Sequence, residues 1–192
     1  ISSKFYKNKP KNIFAVTGTN GKTSVADLFF QILRLMNKPV ASIGTLGIKY
    51  NNKIIKTNLT SPDTIYLHKT LEHLKKRKID NVIIEASSHG LDQKRLHNIK
   101  FKAAIFTNFS QDHLDYHKSL ERYFDAKALL FRQLLPIDKT AVINVDDDRI
   151  KVLAEEIKAL GHSVVTLGAS KHANIKLKRQ SFNSSGQEVL FE

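Results

Sequence analysis

Four features of the chain bring together residue types able to do chemistry. The first, Thr17-Gly18-Thr19-Asn20-Gly21-Lys22-Thr23, joins two glycines, a lysine and a terminal hydroxyl between an apolar run and an amphipathic one. A phosphate-binding loop is built this way: glycines let the backbone approach phosphate oxygens, and a helix start offers free N–H groups and positive dipole. The lysine adds charge, and the hydroxyl can bind magnesium. The common spacing also places a glycine five residues before Gly21, where this chain has Val16, so the loop is shorter than usual. A structural turn is the competing reading of Gly-Lys-Thr alone, but the strand–loop–helix setting favours phosphate.

Glu85 closes the apolar run Val82-Ile83-Ile84 and is followed by Ala86-Ser87-Ser88-His89-Gly90. A carboxylate at a strand end beside a phosphate loop can bind magnesium or orient water; the alternative is a helix cap. The segment Asn108–His117 packs Asp112, His113, Asp115 and His117 into six residues, a density that points to metal or phosphate chemistry. Lys127 follows Tyr123 by four residues and precedes Phe131 by four, so it shares the apolar face of a helix expected over 120–135. An ordinary lysine there snorkels to solvent. One held inside has its pKa lowered by desolvation and a neutral amine available for reaction.

Positioning these groups requires a scaffold, and short apolar runs alternate with helix-length amphipathic stretches along the chain. That alternation predicts an α/β fold: a mostly parallel P-loop-type sheet flanked by helices. Strands are expected over 12–16, 40–43, 81–85, 103–108, 140–145 and 163–167, helices over 22–36, 63–78, 120–135 and 147–160, and a hairpin over 48–55 turning at Asn51-Asn52. The 3.6 period places Val25, Leu28, Phe29, Ile32, Leu33 and Met36 on the apolar face of the first long helix. Three of the strands, 81–85, 103–108 and 140–145, end in polar clusters, where open α/β sheets place their ligands. Beyond Gly168 two strands over 175–182 and 188–191, joined by Asn183-Ser184-Ser185-Gly186, read as a terminal β-ribbon. The expected organisation is a core over 1–168 with the ribbon, 169–192, continuing the same domain.

Composition bounds the function classes. With 192 residues, 41% hydrophobic and 26% charged, the chain is globular rather than disordered. The absence of cysteine excludes disulfides, thiolate zinc sites and cysteine nucleophiles. No run approaches the roughly 18 apolar residues of a membrane span, so the expectation is a soluble, cytoplasmic protein without a membrane partner. The net charge is +13, and residues 1–80 hold most of it, with 15 Lys/Arg against 4 Asp/Glu. That excess attracts an anion such as a nucleotide, a nucleic acid or an acidic lipid surface, or else it is a solvated lysine-rich face. Aromatics are 8% and do not interleave with the lysines, which argues against a nucleic-acid-binding module.

Taken in order, the loop Thr17–Thr23, the run Glu85–Gly90, and Asn108–His117 followed by Lys127 resemble the Mur ligases, and within them the MurE type. The resemblance runs from about residue 4 to residue 150 and covers most of a central ATPase domain. It implies an ATP-dependent acid–amino-acid ligase of peptidoglycan precursor synthesis. In such enzymes the γ-phosphate passes to the terminal carboxylate of a UDP-N-acetylmuramoyl dipeptide. The amine of the third amino acid, diaminopimelate or lysine, then attacks the acyl phosphate.

By the same resemblance, Thr17, Gly18, Thr19, Asn20, Gly21, Lys22 and Thr23 hold the ATP phosphates. Thr23 and Glu85 share one Mg2+, and Glu85 and His113 a second. Lys127 corresponds to the lysine that reacts with CO2 to become a carbamate, and Lys22, His113 and Lys127 form the catalytic set. Thr60, Ser61, Ser87, Gln93 and Arg95 correspond to muropeptide contacts, with Ser61 standing where threonine is more usual. Asn144-Val145-Asp146-Asp147 resembles a further segment whose role stays open. The resemblance also implies an N-terminal uridine-nucleotide domain and a C-terminal amino-acid domain that these residues do not include, so this stretch alone is expected to bind nucleotide weakly, to be inactive in ligation and to be monomeric. Folylpolyglutamate synthetase (FPGS), with a similar loop and lysine but a folate acceptor, is the nearest alternative. The runs Ser87–Gly90 and Asp112–His117 fit muropeptide ligases better.

Overall fold

The computed structural model describes residues 2–184 and 186–192. Ser185, in the expected ribbon turn, and Ile1 lie outside the described residues. In chain order the elements are α1 (Ser2–Phe5), β1 (Asn12–Thr17), α2 (Lys22–Leu35), β2 (Val40–Gly44), β3 (Gly47–Tyr50), β4 (Lys53–Ile55), α3 (Thr64–Lys76), β5 (Asn81–Glu85) and α4 (Ser88–Asp92). There follow β6 (Ala103–Phe106), α5 (Leu114–His117), α6 (Leu120–Leu129), β7 (Thr140–Asn144), α7 (Asp148–Ala159), β8 (Ser163–Gly168), β9 (Ile175–Asn183) and β10 (Gly186–Phe191).

The strands form one sheet in the order β10-β9-β8-β7-β6-β1-β5-β2-β3-β4. From β2 through β5, β1, β6, β7 and β8 to the start of β9 every pairing is parallel. The hairpin β3–β4 and the ribbon strand β10 run antiparallel at the two margins. Central strands are apolar on both faces because helices cover both, and Ala15, Val16, Ile84 and Ala104 are wholly buried. After β1 the chain first builds one side of the sheet and later, from β6, the other. β1 therefore lies at the switch point where open α/β sheets form their ligand crevice. Its register sets Val16 beside Glu85 and Thr17 beside Phe106.

Local chemistry starts three of the expected helices, α3, α6 and α7, and also the short α4, which the sequence reading did not expect. Asp63, Ser87, Ser119 and Asp147 each accept a hydrogen bond from a backbone N–H in the first turn of the helix they precede. This assigns part of the segment left open above: Asp147 caps α7, and Asp146 Oδ1 accepts from Ala169 N at 2.7 Å, tying β7 to the end of β8. No described helix is long and apolar enough to cross a membrane.

Three expectations need correction. The outer part of the apolar face assigned to α2 is not its buried face: the helix lies on the sheet through Ala26 and Phe30, with Val25 and Phe29 packed beside Val16 and Ile83. Leu28, Ile32 and Met36 point outward, 56%, 54% and 57% exposed. The helix carries more apolar positions than the sheet can cover, and the small Ala26 marks the strip of close approach. The helix expected over 120–135 is α-helical to Leu129 and widens into a π turn over Leu130–Leu134, which buries Leu130 and Phe131 completely. The strands expected to reach Asn108 and Val145 stop at Phe106 and Asn144, so Thr107 and Asn108 leave the sheet and serve the site.

Substituting Phe30→Ala should cost about 3 kcal/mol, whereas Ile32→Ala should stay within about 0.5 kcal/mol. Urea unfolding of the two variants checks this, and the reverse ranking would return the buried strip to the predicted face.

Candidate nucleotide and metal site

Thr17 is buried inside β1, and its carbonyl accepts from Thr107 N at 3.0 Å. The chain then turns at Gly18, with φ +143°, where a Cβ would meet Thr107 Oγ1 at 1.9 Å, so no side chain fits. Two donors on the loop are fixed from the strand beyond: Thr19 N to Asn108 O at 2.9 Å and Asn20 N to Asn108 Oδ1 at 2.9 Å. Thr107 Oγ1 donates to Asn20 O at 2.6 Å. Gly21 precedes α2 in a left-handed conformation without a side-chain cap, so the N–H groups of the first turn stay open to an anion. Lys22 Nζ folds back onto Gly18 O and Thr19 O at 3.0 and 2.7 Å. Burial lowers its pKa, opposed by Glu85 and Asp112.

The loop borders a cleft of about 260 Å³ whose walls include Lys22, Thr23, Thr45, Thr60, His113 and Lys127. Glu85, 2% exposed at the end of β5, reaches the loop from behind. Its Oε2 accepts from Thr23 Oγ1 at 2.8 Å and Thr45 Oγ1 at 3.1 Å, and its Oε1 accepts from Thr45 N at 3.0 Å. A Cβ on Gly44 would stand 2.0 Å from Glu85 Oε1, so a glycine is needed there for the carboxylate to lie where it does.

Thr23 and Glu85 are hard oxygen donors in contact. Among the described residues no three His, Cys, Asp or Glu side chains converge to hold a metal. The donor set fits Mg2+ that shares its coordination with phosphate oxygens and water rather than a closed protein cage. Ser88 borders the same cleft, and its buried Oγ makes no hydrogen bond to the described residues. His113 lines this cleft in a left-handed conformation, with its backbone N donating to Asp112 Oδ1 at 2.9 Å. Thr23, Glu85 and His113 therefore belong to one site.

Lys127 is 1% exposed. Its Nζ donates to Gly18 O at 2.7 Å and sits 4.3 Å from the centre of the Tyr123 ring. Burial, then the nearby Lys22 charge, lower its pKa to about 7, with Asp112 partly opposing. Near neutral pH a substantial fraction is thus the nucleophilic free amine.

The expected acceptor contacts are contiguous but not equivalent. Thr60 faces the cleft, its hydroxyl 3.1 Å from that of Thr45, and Ser87 also borders it. Ser61 is wholly buried: its hydroxyl donates to Glu85 O at 2.8 Å and accepts from Ser87 N at 3.0 Å. Ser61 thus positions its neighbours instead of presenting a hydroxyl to the cleft. Arg95 Nη1 donates to Ser61 O at 2.8 Å, and Gln93 lies against the Arg95 guanidinium. Sequence reasoning missed Thr45, Ser88, Thr107 and Tyr123. Thr45 follows β2 directly, so the strand-end rule applied to the other strands would have found it; Tyr123 entered only through its helical spacing from Lys127, and Ser88 and Thr107 were given no role.

Residues 16–192 match the Mur ligase middle domain. The chain belongs to this family. It is 42% identical over 192 residues to a UDP-N-acetylmuramoyl-L-alanyl-D-glutamate--2,6-diaminopimelate ligase of Anaplasma marginale, covering 98% of this chain and 40% of that protein. It superposes with a TM-score of 0.85 on a solved structure of a ligase of the same name, at 31% identity, covering 98% of this chain and 38% of that one. The apo form of L. casei FPGS shares the fold at a TM-score of 0.78 but only 14% identity, covering all of this chain and 53% of that one. This Mur ligase domain spans about two fifths of the length of the curated relatives it matches.

The amine of Lys127 yields a stability prediction. Its folded pKa is lowered from 10.5 to about 7. Below pH 7 it is protonated in folded and unfolded states alike, so the cost of burying the charge is borne in full. As pH rises from 7 towards 10.5 only the unfolded state stays protonated, and stability increases. Lys127→Met should therefore stabilise the domain by about 1–4 kcal/mol at pH 6, with a smaller gain at pH 9. Gly18 O keeps its bond from Lys22. Urea unfolding at both pH values in CO2-free buffer tests this, and a loss of stability at pH 6 contradicts it.

Proposed function

We propose that this chain is the ATP-binding central domain of a MurE-type ligase, which joins 2,6-diaminopimelate to UDP-N-acetylmuramoyl-L-alanyl-D-glutamate through an acyl phosphate. The observation that carries the reading is the meeting, in one cleft, of an uncapped phosphate loop, the Thr23–Glu85 pair and the desolvated amine of Lys127. The relatives at about 40% identity, all named as 2,6-diaminopimelate ligases acting on UDP-N-acetylmuramoyl-L-alanyl-D-glutamate, support the acceptor and the amino acid. On this reading the uridine-nucleotide domain and the amino-acid domain lie outside these residues, and the enzyme works in the cytoplasm, where ATP is supplied.

The roles follow from the geometry. The uncapped N–H groups at the start of α2 and the Lys22 ammonium hold the ATP phosphates, with Lys22 exchanging its two carbonyl partners for phosphate oxygens, while the N–H groups of Thr19 and Asn20, bonded to Asn108, fix the shape of the Thr17–Thr23 loop. Thr23 and Glu85 hold one Mg2+, and Glu85 and His113 hold a second; when bound, these ions neutralise charge on the transferring phosphoryl group. The neutral Lys127 amine would add to the carbon of CO2 through a new N–C bond and release one proton to solvent, leaving a carboxylate-like anion on the cleft wall in place of an ammonium. Thr60, Ser87, Gln93 and Arg95 orient the acceptor, with Ser61 holding Ser87 and Arg95 in place.

In the full-length protein, Lys127→Ala should lower ligation on the order of 100-fold or more, with partial recovery on adding a small carboxylate such as formate. Unchanged activity removes the carbamate from the proposal. Titration calorimetry with Mg2+ and a non-hydrolysable ATP analogue should show binding that Thr23→Val weakens, and a folded protein giving no heat contradicts the nucleotide assignment. Supplying UDP-muramoyl dipeptide and folate in parallel distinguishes the MurE-type reading from an FPGS-type one.

A further inference from the structure

We propose that Tyr116 and Asp92 are positioning residues for the acceptor, acting through Gln93 and Arg95. The inference rests on the reading above that Arg95 and Gln93 touch the anionic acceptor, and it adds two residues to which no role has been given.

The Arg95 guanidinium is clamped on two sides. Nε and Nη2 donate to Gln93 Oε1 at 3.1 and 2.5 Å, and Nη1 donates to Ser61 O at 2.8 Å. Three of its five N–H donors are thereby spent within the protein, leaving two for an incoming anion. The direction in which that pair points depends on how Gln93 is held. Gln93 Nε2 donates to Tyr116 Oη at 3.1 Å, and Tyr116 Oη donates to Asp92 Oδ2 at 2.7 Å.

The order of the protons in this chain is forced from its outer end. An ionised carboxylate only accepts, so Asp92 draws the Tyr116 hydroxyl proton and turns an oxygen lone pair towards Gln93. Gln93 must then offer its NH2 to Tyr116 and its oxygen to Arg95, the one amide orientation that pairs with a guanidinium. The Tyr116 ring is itself held, tilted against His89 at 4.2 Å between centres, with its backbone N donating to His113 O at 3.2 Å. The relay thus ties the acceptor grip to the segment that carries His113.

Asp92 and Tyr116 lie on the wall of an open cleft of about 440 Å³ between α4, α5 and α6, shared with Arg122 and Asp125. Their polar ends are not core, so removing them leaves the fold standing.

The test is steady-state kinetics of the full-length ligase with the UDP-muramoyl dipeptide. Tyr116→Phe should raise the KM for the dipeptide about fivefold, the worth of the one ordinary hydrogen bond that holds Gln93 to the relay, with kcat and the KM for ATP within about twofold. Asp92→Ala should act in the same direction, and the double variant should be no worse than Tyr116→Phe alone, because both remove one relay. Arg95→Ala is the reference and should raise the same KM by more. If Arg95→Ala raises it and Tyr116→Phe does not, the relay is overturned. If Arg95→Ala also leaves it unchanged, the acceptor assignment itself fails. Parallel losses in kcat, ATP KM and melting temperature in Tyr116→Phe overturn the positioning role in favour of a structural one.

Discussion

Parallel pairing of β1 between β5 and β6 is the constraint on which the site depends. Because the register sets Val16 beside Glu85 and Thr17 beside Phe106, the chain leaving β1 must pass between a carboxylate on one side and the Thr107–Asn108 backbone on the other. Both flanking strands are paired on both edges inside the sheet, and the bonds from Thr19 and Asn20 to Asn108 tie the loop to the end of one of them. A register shift of a single residue would turn Glu85 to the opposite face and remove the Thr23 contact. The glycines follow from the same crowding: Gly18 is fitted to Thr107, and Gly44 to Glu85.

Two cations meet at one carbonyl. Lys22 and Lys127 both donate to Gly18 O, and each lies where burial disfavours its charge. Their mutual repulsion is one reason the Lys127 amine loses its proton so readily. On the proposed function, a polyanion entering the cleft would give Lys22 a better partner than a carbonyl, and a carbamate on Lys127 would turn the repulsion into attraction. The protein alone would then hold, at the expense of its own stability, an arrangement that anions complete. That tension is common where binding energy is reserved for ligand.

Around the proposed acceptor contacts the fold spends some hydroxyls internally while others face outward. Ser61 is consumed in joining the end of β5 to the start of α4, and that joint sets the aim of Ser87 and Arg95. A residue carried over by motif can therefore matter to the acceptor without touching it, and burial separates the two cases.

The order of residues along the chain was enough to place the Thr17–Thr23 loop between a strand and a helix, the strand ending at Glu85 and Lys127 on an apolar helix face. Each is a local pattern: glycines beside a lysine and a hydroxyl, an acid closing an apolar run, a cation at helical spacing among aromatics. The caps at Asp63, Ser87 and Asp147 are likewise chemistry between near neighbours, although the sequence reading singled out none of them. What periodicity left undecided was which apolar strip of α2 meets the sheet, because Leu28, Ile32 and Met36 obey the helical repeat as well as Ala26 and Phe30 do. Tertiary structure alone decided that, along with the role of Thr107 and Asn108, the withdrawal of Ser61 from the cleft and the relay from Asp92 to Arg95. These depend on contacts between residues far apart in the chain, set by strand order and register, and no local spacing encodes which distant side chain will stand opposite.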